Sequence, residues 1–325
     1  MKTRKLAEME VSALGLGCMG MSEFYGPSDD AESLRTLARA ADEGVTLFDT
    51  ADTYGCGHNE ELLGRFLRGR HGTVRIATKF GLVRTPGSYA RRIDNSPAYI
   101  RAACEASLRR LGVETIDLYY AHRLDPAAPL EQTIGTLARL VEQGKVRAIG
   151  LCEVAPATLR RAAAIHPIAA VQSEYSLWTR DPEGGVLQAC RDLGTAFCAY
   201  SPLGRGFLTG SVDTASLAPG DFRSFNPRFT GPHARANAGL ADAVRALAVT
   251  KGCTPAQLAL AWLLARGAHV LPIPGTRRPD RLLENLGALA VRLDAADLAA
   301  IDAAFPPGIA SGERYSPEGM KGLNA

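Results

Sequence analysis

The chain of 325 residues has no C-x-x-C pair, no apolar stretch of membrane-spanning length, no low-complexity tract and no internal repeat. Each absence narrows the field. Without C-x-x-C the usual zinc and dithiol redox arrangements drop out. The seven cysteines, an odd number, are scattered at Cys18, Cys56, Cys104, Cys152, Cys190, Cys198 and Cys253. That usage reads as free, mostly buried thiols in a reducing compartment. A spanning helix needs about 20 apolar residues in a row, which the sequence lacks. The leading MKTRKLAEMEVSALG has no apolar core of signal-peptide length. A formal charge of +3 is too small to argue for a nucleic acid or a membrane as partner. The expectation is a soluble cytoplasmic protein; oligomeric state has no signature here.

What the chain does have is rhythm. Short apolar runs rich in β-formers recur at 13–18, 45–50, 74–79, 115–122, 146–151, 168–173, 195–201 and 269–275. They are mostly nonalternating, as parallel strands buried on both faces are. Helical patterns fill the gaps. The pattern at 29–44 starts on Asp and ends on Gly44. The next, at 96–112, opens with Ser96 as N-cap and Pro97 at N1 and closes on Gly112. Others lie at 129–144, 155–166 and 182–194. Eight strand–helix repeats over this length predict a single (β/α)₈ TIM barrel domain, residues 1–325. Residues 3–12 read as a short hairpin closing the barrel bottom. A long irregular run at 207–232 and an irregular tail at 305–325 break the rhythm, and long loops are often functional.

GLGCMG at 15–20 matches the G-x-G-x-x-G dinucleotide fingerprint, but that motif needs a helix opening within its glycines. Here the helical pattern begins only near Asp29, past Pro27. The Rossmann reading is set aside, and the glycines are taken as a strand end that lets a ligand come close.

Active sites of parallel barrels lie at the C-terminal strand ends. The second strand delivers Asp49 and then Tyr54, the third Lys79, and the fourth His122. The fifth ends in Cys152 and Glu153, the sixth in Gln172, the seventh in Tyr200 and Ser201, the eighth in Gly275 and Thr276. A lysine closing an apolar strand needs a carboxylate, and Asp49 is its candidate. A neighbouring ammonium lowers a phenol's pKa, so Tyr54 is expected to donate a proton near neutral pH. His122 would orient a bound carbonyl oxygen. These four are no convincing metal set. Singly, each also reads as an ordinary turn, surface or loop residue; four polar groups on three successive strand ends favour a site.

The chain resembles the aldo-keto reductases, in particular the bacterial and plant type that carries GCMGMSEFYG. The resemblance rests on GLGCMGMSEFYG (15–26), LFDTADTYG (47–55), ATKFG (77–81), IDLYYAHRLD (116–125), VQSEYSLW (171–178), YSPLGRGFL (200–208) and PIPGTRRPDRLLEN (272–285), in the family's order. It implies NADPH-dependent reduction of aldehydes or ketones, with Asp49, Tyr54, Lys79 and His122 as the catalytic tetrad. It also implies NADP(H) contacts from Gly20, Met21, Asp49, Cys152 and Gly275. Tyr200 would stack on the nicotinamide and Gln172 hold its carboxamide. Ser201, Leu203, Gly204, Arg205 and Gly206 would wrap the pyrophosphate. Thr276, Arg277 and Arg281 would take the 2′-phosphate, with Glu284 and Asn285 on the adenine. One departure stands out: relatives place Ser where this chain has Cys152, a weaker hydrogen bonder. The carboxamide is expected to be held either more loosely or through Gln172 and Glu153 instead.

A second function class is consistent with the same motifs: a cofactor-binding redox-sensing regulatory subunit, as in potassium-channel β subunits. NADPH oxidation with a panel of aldehydes separates the two. For substrate walls the sequence offers Phe24, Tyr25, Trp178 and Phe225, each of which also suits ordinary packing.

Overall fold

The computed structural model describes residues 1–325 except 71, 89, 215 and 219. The chain begins with an antiparallel hairpin, β1 (Thr3–Leu6) and β2 (Met9–Ser12). The barrel follows with β3 (Leu16–Gly17), α1 (Asp30–Asp42), β4 (Leu47–Asp49), α2 (His58–Leu67) and β5 (Arg75–Phe80). A second hairpin, β6 (Leu82–Arg84) and β7 (Arg91–Ile93), interrupts the alternation before α3 (Pro97–Leu111). Then come β8 (Ile116–Ala121), α4 (Leu130–Glu142), β9 (Val146–Cys152), α5 (Pro156–Ile165), β10 (Ala170–Glu174), α6 (Val186–Leu193) and β11 (Ala196–Tyr200). After a long irregular stretch follow α7 (Gly231–Lys251), α8 (Pro255–Ala265), β12 (Val270–Pro272), α9 (Pro279–Leu286), α10 (Ala295–Ala304) and, within the tail, α11 (Pro317–Met320).

All eight expected barrel strands are present and pair in parallel, in the order β3–β4–β5–β8–β9–β10–β11–β12. The ring closes where Gly17 bridges Gly275. The Gly15 N–H donates to the Pro272 carbonyl at 3.0 Å, and Gly17 to Pro274 at 3.1 Å. A Cβ on Gly15 would stand 2.9 Å from Ile273 Cγ2, and one on Gly17 would stand 3.0 Å from the Ile273 carbonyl. These glycines therefore serve barrel closure first. The approach for a ligand expected of the motif is a second role, since Gly17 and Gly20 also line the cavity described below.

Strand parity divides the core. Leu47, Ala77, Leu118, Ala148, Ala170, Ala196 and Leu271 form the barrel interior, and Leu6, Met9 and Val11 of the first hairpin plug its lower end. Phe48, Ile76, Tyr119, Ile149, Val171 and Phe197, on the opposite parity, pack outward among the helices. Side chains alternate along a strand, so every second residue upward stays inside. Asp49, Lys79, Cys152, Gln172 and Tyr200 share the inward parity and sit at the upper rim. Gly150 leaves the room that the Tyr120 ring fills, since a Cβ there would meet it at 2.4 Å.

The caps behave as their chemistry dictates. Ser96 accepts the Tyr99 N–H at the start of α3, and Gly112 ends it with φ +66°. The β6–β7 hairpin had no clear sequence signal. Its strands have three residues each and carry arginines where alternation would place apolar groups.

Candidate active site

A cavity of about 960 Å³ opens at the upper rim of the barrel. That lies at the large end of ligand cavities. At its floor Lys79, fully buried, forms an ion pair with Asp49 and donates to the Thr50 carbonyl at 2.7 Å. It also reaches the Tyr54 oxygen at 3.5 Å. Gln172 Nε2 donates to the other Asp49 oxygen at 2.8 Å. His122 packs edge-on against the Tyr54 ring, with centroids 6.0 Å apart. The structure thus brings Asp49, Tyr54, Lys79 and His122 together; Lys79 stands behind the wall and the other three line the cavity.

Burial, the largest single influence, would depress the Lys79 ammonium, but Asp49, Tyr54 and Cys152 together outweigh it and hold the ammonium above its ordinary value. Burial also pushes the Tyr54 phenol above its ordinary value, and the pull of Lys79 in the other direction is the smaller effect. That corrects the expectation of a lowered phenol pKa, because desolvation wins over the neighbouring charge. The phenol is fully protonated at neutral pH. Its oxygen accepts from Lys79, which leaves its hydrogen free to point at a ligand. Desolvation, Lys79, Arg123 and Arg91 together hold His122 well below the ordinary histidine value. Its Nδ1 is buried with no protein partner.

The other sequence candidates fall along the cavity. Gly20, Cys152 and Gln172 line it, as do Tyr200, Ser201, Leu203, Arg205 and Gly206. So do Gly275, Thr276, Arg277, Arg281, Glu284 and Asn285 at the far end. Met21 and Gly204 do not. Met21 is fully buried in the core, and Gly204 lies under the Trp178 indole, which a Cβ would meet at 2.8 Å. Phe24, Tyr25 and Phe225 line the cavity, whereas Trp178 is stacked on Phe207 in the core. Arg277 donates to the carbonyls of Gly20, Tyr25 and Gly26, at 3.1–3.4 Å. Arg281 pairs with Glu284 at 2.7 Å, and Arg278 with Asp280 at 2.6 Å.

Behind the wall lies a buried network that sequence reasoning missed. Glu153 accepts two hydrogen bonds from Arg314 of the tail, both at 3.0 Å. It also accepts the Tyr200 hydroxyl at 2.8 Å and the Glu174 N–H at 2.9 Å. Tyr315 meets the Tyr200 hydroxyl at 2.7 Å. With its oxygens so occupied, Glu153 is a strut for the tail, which corrects the idea that it substitutes for the missing serine. Burial pushes the Cys152 thiol up to about 12, so it remains an S–H. Of the seven non-glycine residues at positive φ among the described residues, Phe24, Ser201 and Arg205 line the cavity and Glu153 stands just behind it. Such backbone strain gathers at functional sites.

Comparison with known proteins agrees with this geometry. A profile of the aldo/keto reductase family matches residues 13–305. The chain is 46% identical over 308 residues to a probable aldo-keto reductase 1 of Glycine max, covering 94% of this chain and 89% of that one. A glycerol dehydrogenase from Gluconobacter oxydans superposes with a TM-score of 0.85 at 30% identity, over 97% of this chain and 98% of that one. An aldo/keto reductase from Klebsiella pneumoniae, solved with NADP and acetate, superposes at 0.75 with 27% identity, over 97% and 99%. A barrel whose second, third and fourth strands deliver an aspartate, a lysine and a histidine around one tyrosine is thus matched in sequence along most of its length, and the chain belongs to the aldo/keto reductase family.

Proposed function

We propose that the protein is an NADPH-dependent carbonyl reductase in which Tyr54 is the general acid. The observation that carries this reading is the Tyr54 hydroxyl beside the Lys79–Asp49 ion pair, at the floor of a cavity lined at its other end by arginines. The cavity is large and elongated in its chemistry. Proton-handling groups hold one end and Arg277, Arg278 and Arg281 the other, which suits NADP(H). When bound, the reduced nicotinamide supplies the hydride.

The chain's own residues do the rest. Tyr54 gives its proton to the carbonyl oxygen as negative charge grows there. Lys79 stabilises the phenolate left behind, and Asp49, fixed by Gln172, keeps the lysine in place. His122 stays neutral, so it offers one N–H to the oxygen without competing for the proton. Arg205 and Gly206 line the cavity and are read as part of the loop that would hold the pyrophosphate; Arg205 is also paired with Glu174 at 3.1 Å. The regulatory-subunit alternative gains no support from the relatives, whose descriptions name enzymes. The free thiols suit a reducing compartment. No described helix is long and apolar enough to cross a membrane.

The direct test is NADPH consumption, followed by absorbance, with a panel of aldehydes and ketones; a protein that binds NADPH but reduces none of them is not a reductase.

Two further expectations follow from the charges. The first concerns cofactor choice. Arg277 and Arg281 are read as the 2′-phosphate contacts, since a guanidinium fork matches phosphate oxygens. Wild type should prefer NADPH over NADH, and Arg277→Ala/Arg281→Ala should lose about 2–4 kcal/mol of that preference. Arg277 also holds the 20–26 loop, so its loss can weaken both cofactors alike. The ratio of the two Kd values isolates the phosphate contribution. An unchanged ratio would place phosphate reading elsewhere.

The second concerns pH. His122 has its pKa depressed, so it is neutral above the ordinary value of about 6.5 and remains so well below it. Tyr54 has its pKa raised, so it keeps its proton past the ordinary value of about 10. The rate of reduction with saturating NADPH should show no inflection between about pH 6 and 9. A steep fall centred near 7 would mean that one of these two groups titrates there.

A further inference from the structure

The charges around the substrate end of the cavity do not balance. Three arginines line it there: Arg84 and Arg91 from the β6–β7 hairpin, and Arg123 immediately after His122. Arg84 is answered by Glu23, at 2.5 and 3.3 Å. Among the described residues, Arg91 and Arg123 form no ion pair with any carboxylate. Arg91 donates to the Gly319 carbonyl at 3.0 Å, and Arg123 to the His122 carbonyl at 2.7 Å. Each guanidinium has five N–H donors, so one carbonyl leaves most of them unused. Arg123 is only 4% exposed, and its Nε has no partner at all.

The acids nearby are already engaged. Glu153 lies in the field of Arg123 but is gripped at two points by Arg314. Glu318 lies in the field of Arg91 and pairs with Lys321 at 2.7 Å. Asp49 belongs to Lys79. The two arginines also repel each other, and burial and Arg123 together press the Arg91 guanidinium below its ordinary value. Arg84 and Arg91 stand opposite one another in the hairpin register, a like-charge placement that costs stability. Against the cost of burial, Tyr200, Tyr315 and Glu153 uphold the Arg123 charge through the field alone, with no carboxylate among the described residues in contact with its guanidinium. Holding the tail carbonyl of Gly319 needs only a neutral donor.

We propose that Arg91 and Arg123 bind an oxyanion on the substrate, so that the carbonyl compound reduced at Tyr54 carries a carboxylate as well. The proposal rests on the carbonyl-reductase reading and names its substrate class. His122 joins the two sites: it packs on Tyr54 at 6.0 Å and is bonded in the chain to Arg123. An anion held by the arginines would therefore position the carbonyl carbon of the same molecule near Tyr54. The aromatic side chains Phe24 and Phe225 line the cavity as well and supply apolar wall for the body of such a substrate.

The experiment compares 4-carboxybenzaldehyde with methyl 4-formylbenzoate, which keeps the ring and aldehyde and removes the charge. A second pair, glyceraldehyde 3-phosphate and glyceraldehyde, asks whether phosphate is taken in place of carboxylate. With NADPH-loaded protein, kcat/KM for the carboxylate should exceed that for the ester by roughly tenfold or more, mostly through KM. Arg91→Met and Arg123→Met should each bring the ratio toward one, and Arg91→Lys should restore part of it. Arg91 is on the half-buried hairpin, so its variant remains informative if Arg123→Met fails to fold. A preference in the phosphate pair alone keeps the anion site and changes its ligand. A ratio at or below one in both pairs, or one unmoved by Arg91→Met, overturns the proposal. Calorimetric titration with benzoate and benzamide reads the same site without turnover. If no aldehyde is reduced yet benzoate binding depends on Arg91, the reductase reading fails and the anion site stands.

Discussion

Tyr54→Phe is expected to lower kcat for carbonyl reduction by about 10²–10⁴-fold while NADPH binding stays nearly unchanged. The substitution keeps the ring, so the edge-on contacts with His122 at 6.0 Å and Phe24 at 6.4 Å persist. Only the hydroxyl goes, and with it the proton donor and the acceptor for Lys79. Because burial holds the phenol protonated, the wild-type acid is present in full at neutral pH. The measured loss is then the loss of proton transfer itself and does not reflect a shift in protonation. Stopped-flow measurement of a single turnover would separate chemistry from product release. Retained turnover in the variant would remove Tyr54 from the mechanism.

Lys79→Met should abolish most reductase activity and also cost stability. Asp49 would be left buried with Gln172 as its remaining side-chain donor. Breaking a buried ion pair by removing one partner typically costs about 3–5 kcal/mol. The sign with pH is fixed by the raised ammonium. Its contribution is complete below the ordinary lysine value of about 10.4 and is lost as pH rises through the higher folded value. The gap in stability between wild type and variant should thus be constant across neutral pH and shrink only in strong alkali. Denaturant titrations at several pH values measure it. A stable variant with wild-type activity would show that Lys79 neither supports Tyr54 nor answers Asp49.

The barrel and its reacting end were legible because both follow from local rules. Apolar runs of strand length gave the ring, and inward parity then placed Asp49, Lys79, Gln172 and Tyr200 at one rim. The hairpin at β6–β7 was illegible because arginines at 84, 91 and 92 hide any alternation. The Glu153–Arg314 strut joins residues 161 apart, and nothing local marks either as a partner. Arg123 sat in plain view beside His122, but its importance lies in having no carboxylate, which only the folded neighbourhood can show. The phenol's raised pKa was misjudged for a related reason: proximity to a lysine is readable from strand order, whereas the depth of burial that outweighs it is not.

The joint of the barrel has a consequence for how the chain is made. Gly17 meets Gly275, so the first barrel strand to leave the ribosome waits for the last. Until residues 270–275 emerge, one edge of the growing sheet is unpaired, and such edges recruit other chains. The edge strand here has two residues, Leu16 and Gly17, flanked by Gly15 and Cys18. So short a strand, with glycine for half its length, offers little template for a stray partner. The same glycines that let the ring shut closely also shorten the edge that the sheet presents while it is open.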